Sequence, residues 1–495
     1  MKINKILFLP NSYLGAENLE DLLLYALQIA GESGARYAEA RYHRLESQGM
    51  SSRNVMLISA YSEISEGIAI RVLVDGVLGF ASTNNLSRDG VREAVQKAIA
   101  RARTHRNVVK RPVDLSEARL GRVKYSVNPL KKFSDIDFEE KIGLHKLFWD
   151  SASNSVKEAK VPVATLSYVE WVEEKIVVNS DGAYVESSIP RISMDYNIVV
   201  HHPQKGYIQR AREFGASGGL EWLEKWNVVE VVADEAKKLE EILLTAVEPP
   251  KESVPVVVGS EIVGLAVHES CGHPSEADRI LGREAAQAGR SFIKPNMIGY
   301  RIGNENATVV DDPTIPSSYG FYLYDDEGVA ARPRYLYKEG VINEFLHNRE
   351  TAKVFGVESN AAARAMDYTS EPIVRMANTY LKPGDYKFEE LLEDVKLGVY
   401  IKSYMEWNID DERWSQRYVG LEAYLIEHGE LTKLVRNPVL ELTTKSFYSG
   451  IDAVGKELRF YAGTCGKGEP MQGVPVWFGG PDLRLKSVRL GVAVQ

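Results

Sequence analysis

Two histidines five residues apart, closing an apolar helix-forming run, constrain this chain's fold more tightly than any other feature. The segment reads Gly264-Leu265-Ala266-Val267-His268-Glu269-Ser270-Cys271-Gly272-His273. On an ideal α-helix an i, i+5 spacing turns two side chains roughly 140° apart. A single π-type bulge, by absorbing one residue, returns the imidazoles to nearly the same face, where they can share an ion. Gly272, next to the second histidine, suits such a distortion or the end of the helix. The better-known zinc-protease pattern spaces its histidines i, i+4, with a glutamate between them as general base.

Two imidazoles need a third protein ligand, and a catalytic zinc keeps one position open. The 495 residues include only two cysteines, Cys271 and Cys465, too few for a disulfide framework. Cys271 is the local choice, but it would crowd both histidines within one distorted turn. Cys465 lies in Ala462-Gly463-Thr464-Cys465-Gly466-Lys467-Gly468, where flanking glycines free the backbone to present a thiolate. Lys467 is placed to favour its deprotonation. The residues' own chemistry prefers Cys465 to Cys271, while a helix carrying two hydrogen-bonded structural histidines stays open as the bland alternative.

The rest of the chain is expected to supply a scaffold of the α+β class. A helix is expected over Leu19–Gly31, from Leu22, Leu23, Ala26 and Ile29, then a strand over Tyr37–Glu46. Ile68–Val74 and Val77–Ala81 flank Asp75-Gly76, a two-residue hairpin signal. A second helix, Ser87–Arg103, starts at a Ser87 or Asp89 cap. Beyond the connector Lys110–Val113 come strands Ala164–Glu170, Glu174–Val178, Ala183–Ser188 and Arg191–Val200, then a helix from Val228 to Leu244. Pro249-Pro250 marks the best boundary, dividing residues 1–248, a mixed α/β domain with a sub-boundary near 110–125, from residues 249–495, a largely antiparallel β-rich domain. In the second part, strand Val254–Val258 leads to a helix capped by Ser260, and another helix is expected over Phe388–Leu397.

Acidic residues exceed basic ones, 69 to 60, which disfavours nonspecific attraction to nucleic acid. The opening Met1–Tyr13 lacks the pattern of a signal peptide, and no window approaches a transmembrane span. The expectation is a cytoplasmic protein with neither nucleic-acid nor membrane partners. His201-His202, His347 and His428 are expected to be structural or exposed. Asp325-Asp326-Glu327-Gly328 reads as a turn or packing element, lacking the alternating oxygens of a calcium loop. Arg101–Arg106 reads as a solvated helix end, and Trp477-Phe478 as core.

His268–His273 resembles the HExxxH motif of the TldD/PmbA metalloprotease family, specifically its TldD-like catalytic branch. Asp325-Asp326-Glu327-Gly328, Pro372–Thr379 and Thr464-Cys465-Gly466-Lys467-Gly468 resemble further family segments in the same order. The stretch around Arg364-Ala365 follows its family counterpart only loosely. The resemblance implies one Zn²⁺ per chain on His268, His273 and Cys465, with Glu269 as the catalytic carboxylate and Cys271 at a variable motif position. It implies a zinc-dependent peptidase acting on unfolded or extended peptides, assembled as a homodimer or as a heterodimer with a TldE-like paralogue. The competing expectation is a non-catalytic, metal-containing adaptor of such a complex. A thiolate ligand weakens zinc as a Lewis acid, so a further oxyanion donor is expected, with His347, Arg375 and several tyrosines as candidates.

Overall fold

The computed structural model describes residues 18–109, 111–284 and 289–493. The opening segment read against a signal peptide, and Lys110 of the connector, lie outside them. The first half is one seven-stranded sheet with its helices on a single face. Helix α1 (Leu19–Glu32), strands β1 (Tyr37–Arg53), β2 (Met56–Val74) and β3 (Val77–Thr83), and helix α2 (Arg88–His105) come first. β4 (Arg122–Ser126), α3 (Phe138–Ser155), β5 (Lys160–Asn179), β6 (Tyr184–His202), β7 (Gly206–Ser217), α4 (Glu221–Trp226) and α5 (Val228–Thr245) follow. The strand order is β3-β2-β1-β5-β6-β4, with β7 on the other part of β6. Among the described residues of this sheet, only β4 runs parallel to its neighbour. Asp75 and Gly76 both take positive φ, 51° and 76°, the geometry of the tight hairpin turn expected there. Ser87 caps α2 by accepting a hydrogen bond from the Gly90 N–H at 3.2 Å.

Strand alternation sorts the two faces of this sheet. Ala38, Ala40 and Tyr42 of β1 pack with Leu22, Leu23, Val91 and Val95 under α1 and α2. Farther along the same face, Met50, Leu166, Tyr168 and Met194 pack with Phe148, Val232 and Leu239 of α3 and α5. The opposite face is charged where the C-terminal half covers it. There Arg71 Nη2 bridges Glu39 Oε2 (2.8 Å) and Glu327 Oε1 (2.6 Å), and Lys175 Nζ meets Asp326 Oδ1 at 2.8 Å. The Asp325–Gly328 segment is thus a buried turn that ties the two halves together. β5 and β6 are each continuous where breaks are expected from the sequence. The acidic run that suggests an interruption is paired instead: Glu170 meets Lys141 at 2.6 Å and Glu173 meets Arg191 at 2.5 Å.

The second half is built on two six-stranded sheets. β8 (Ser253–Val258) lies centrally in one, between Leu397–Ile401 and Leu483–Arg489. The other carries the antiparallel pair Arg459–Lys467 and Gln472–Gly480, with Asn378–Leu381 parallel to the latter. β8 leads through Gly259 directly into helix α6 (Ser260–Val267). A Cβ on Gly264 would meet the Gly479 backbone at 2.8 Å, so helix and strand touch backbone to backbone. That contact sets α6 against the sheet that carries Cys465.

Two local expectations are corrected. Ser260 is the first helical residue, not the cap; its N–H is satisfied by Asp482 Oδ1 at 2.7 Å, and its hydroxyl pairs with Tyr461. Phe388–Leu397 is no helix but a short 3₁₀ turn, Glu389–Leu391, followed by the strand Leu397–Ile401. The carbonyls of Val395 and Lys396 accept from Gly429 and His428, which replaces an intrahelical ladder, while Leu391, Leu392 and Val395 still bury their side chains.

Candidate metal centre

The helix distortion demanded by the i, i+5 spacing is present. α6 gives way at His268 to a π-helical turn, His268–Gly272, and then to a 3₁₀ turn, His273–Ser275. The widened turn absorbs one residue and brings the two rings edge to face, with centroids 4.9 Å apart. Gly272 leaves room for Met376, whose Sδ would stand 1.9 Å from a Cβ there and would have to shift.

Cys465, on the strand Arg459–Lys467, completes the group. One potential ligand atom from each of His268, His273 and Cys465 lies within 4.8 Å of the others, and all three residues are buried. Cys465 Sγ is 3.5 Å from His273 Nε2. Tetrahedral zinc, with Zn–N near 2.0–2.1 Å and Zn–S near 2.3 Å, spaces such donors about 3.5 Å apart, so the set fits that ion. Nδ1 of His268 is buried without a hydrogen-bond partner. Burial alone would raise the Cys465 thiol. The charges of His273 and Arg375, with a hydrogen bond from His268, overcome burial and hold it well below the usual thiol range. His268 is desolvated too, yet its hydrogen bond and proximity to Cys465 raise it. This donor chemistry is that of a thiolate site.

Supporting contacts fix the donors, and two of them escaped the sequence reading. Glu276 Oε2 lies 3.0 Å from His273 Nδ1 and 3.1 Å from Arg279 Nε. Lys467, expected beside the thiol, instead bonds Asp278 and the Val374 carbonyl, both at 2.7 Å, and lies 3.3 Å from Glu276. The charges that lower Cys465 come chiefly from His273 and Arg375, so the expectation for Lys467 is corrected. Glu276 follows His273 by three residues, a helical spacing that hints at the contact. Arg413 carries no such signal. It pairs with the Glu269 carboxylate from the turn between the strands Tyr404–Ile409 and Ser415–Gly420.

Cys271 stands apart from the donor group. It is fully buried in the main core of the C-terminal half. Burial keeps its thiol well above the ordinary range. The donors open on a cleft of about 560 Å³ that also exposes Glu269, Arg413, Tyr404 and Phe478. Two of the expected oxyanion donors do not line it. Arg375 spends its guanidinium on the carbonyls of Cys465 and Gln472. His347 is buried among Phe345, Phe355 and Thr351. Arg364 is likewise committed, to the Met376 and Pro475 carbonyls. The far wall of the cleft belongs to the N-terminal sheet, and Arg210 of β7 anchors it by bonding both Glu261 oxygens of α6 at 2.9 and 3.0 Å.

Two imidazoles and a thiol beside a carboxylate, all facing one cleft, combine a candidate metal-donor set with a neighbouring acid–base group, the parts that metal-assisted hydrolysis uses. Models of the PmbA/TldA metallopeptidase family match this chain in three pieces: domain 1 over residues 38–102, the central domain over 131–244 and the C-terminal domain over 251–492. A metalloprotease of Methanocaldococcus jannaschii is 32% identical over 90% of this chain and 95% of its own length. A zinc metalloprotease TldD homolog of Saccharolobus solfataricus is 26% identical, covering 94% and 98%. The chain belongs to the TldD/PmbA metallopeptidase family. TldE from Thermococcus kodakarensis shares its fold, with a TM-score of 0.73 over 95% of this chain and 100% of that one, at 18% identity. Among the described residues no helix is long and apolar enough to cross a membrane.

Proposed function

We propose that this chain is a zinc-dependent peptidase of the TldD-like branch that hydrolyses unfolded or extended peptides. The observation that carries the reading is the convergence of His268, His273 and Cys465 beside Glu269 on one cleft. His268, His273 and Cys465 would hold one zinc ion per chain. When bound, zinc supplies Lewis acidity, acidifying water and polarising a peptide carbonyl. Glu269 takes the proton of the attacking water and passes it to the leaving amine. The strands that border the cleft suit an extended peptide, which binds through its backbone with little regard to sequence. The fold shared with TldE and the family membership favour assembly with a TldE-like paralogue or as a homodimer. Two unpaired, buried cysteines suit a reducing, cytoplasmic setting.

The test is Glu269→Ala in the zinc-loaded protein, assayed on an unfolded model peptide. Hydrolysis should fall by orders of magnitude while zinc content, measured by mass spectrometry of the metal, stays at the wild-type level. Unchanged hydrolysis would remove Glu269 from its role, and an inactive wild type would favour the adaptor reading.

A further inference from the structure

Arg413 is a buried cation built into the reacting end of the cleft. Its backbone φ is 65°, a left-handed conformation that a long side chain adopts only when its surroundings impose it. Those surroundings are plain. The Arg413 N–H bonds the Asp410 carbonyl at 3.1 Å, and the Arg413 carbonyl accepts from Thr444 Oγ1 at 2.8 Å. The Asp410 carboxylate holds the Trp414 and Ser415 N–H groups at 2.7 and 2.9 Å. The turn thereby drives the guanidinium inward onto Glu269, leaving the side chain 9% exposed. Burying such a pair costs desolvation that its attraction repays only in part. Strain and desolvation thus both go into placing positive charge beside Glu269, on the cleft onto which the donor trio opens.

Two further polar side chains that line the cleft have partners of their own. Arg212 pairs with Glu235 at 3.2 Å and lies over the Phe214 ring, and the Tyr461 hydroxyl is shared with Ser260. We propose that Arg413 is a catalytic residue that stabilises the oxyanion formed on the scissile carbonyl; this rests on the peptidase reading above. In the addition step the water oxygen bonds the carbonyl carbon, the carbonyl π pair moves onto its oxygen, and Glu269 takes one water proton. The carboxylate facing Arg413 has then lost its charge, and the guanidinium turns to the new oxyanion. Collapse re-forms the carbonyl, breaks the C–N bond and returns the proton from Glu269 to the amine nitrogen. A planar guanidinium can serve both partners in turn because its donors form a fork.

The test uses Arg413→Gly, since glycine takes φ of 65° without strain, with Arg413→Lys beside it, both in the full zinc-loaded chain. Five quantities are read: zinc per chain, kcat and KM on an unfolded peptide, and Kd for a phosphinic peptide and for the product peptides. With zinc retained, kcat should fall about 100- to 1000-fold and KM stay within about threefold. Phosphinic-peptide binding should weaken in step with kcat while product binding holds. Added guanidinium ion should restore part of kcat in Arg413→Gly alone, and Arg413→Lys should lie between. A kcat within about threefold of wild type, an equal loss of product and phosphinic binding, or loss of zinc in Arg413→Gly overturns the assignment. If wild-type protein cleaves no peptide, the peptidase reading falls and takes this one with it; if wild type cleaves and Arg413→Gly does too, only the Arg413 assignment falls.

Discussion

His273 and Glu276 meet side chain to side chain, Nδ1 to Oε2 at 3.0 Å, and this contact decides which ring nitrogen faces Cys465. With Nδ1 engaged by a carboxylate, Nε2 is left toward the sulfur 3.5 Å away. Burial would raise Glu276, but Lys467, His273 and Arg279 hold its carboxyl well below the usual range, so it is an anion able to orient the imidazole.

Neutralising that anion should therefore weaken the site without deleting a ligand. Glu276→Gln is expected to lower zinc affinity about 10- to 100-fold, measured by competition with a chelator of known affinity. Unchanged affinity would mean that the ring is oriented by other contacts.

The two cysteines should separate cleanly. Cys465→Ala is expected to abolish stoichiometric zinc binding, because it deletes one of three donors. Cys271→Ala should keep one zinc per chain and instead cost about 1–2 kcal/mol of stability, as a small cavity opens in the core. Zinc content and urea unfolding of both variants check this; loss of zinc from Cys271→Ala would reverse the ligand assignment.

His347 gives the fold an acid-sensitive point away from the donor trio. Burial pushes it down from 6.5 to about 4, so the folded protein keeps the ring neutral while the unfolded chain protonates it more readily. Its contribution is complete above about pH 6.5 and is lost as the pH falls toward 4. A shift of that size corresponds to about 3 kcal/mol across the window. His347→Gln should flatten the pH dependence of the urea midpoint between pH 6.5 and 4; an unaltered slope would place the acid sensitivity elsewhere.

How much was legible follows from where each interaction is closed. Helices α1, α2 and α5 and the Asp75-Gly76 hairpin close their hydrogen bonds and apolar stripes within a few residues, so periodicity and turn chemistry find them. The Phe388–Leu397 pattern misleads because its carbonyls are claimed by His428 and Gly429, more than 30 residues on. The unbroken run of β5 is hidden for a similar reason: its charges look solvent-facing until Lys141, Arg191 and His43 arrive from other elements.

At the site, the histidine spacing pointed to a break in the helical repeat. Two rings five residues apart share an ion only where the helix widens or ends, and the π turn at His268–Gly272 is such a break. The sequence also narrowed the third donor to two thiols. The tertiary structure sets the Cys465 strand against α6 where Gly264 meets Gly479 and brings that thiol beside the two imidazoles, while Cys271 packs into the core. It alone placed Arg413 on Glu269, because residues 144 positions apart are joined by a hairpin turn whose direction no local pattern records.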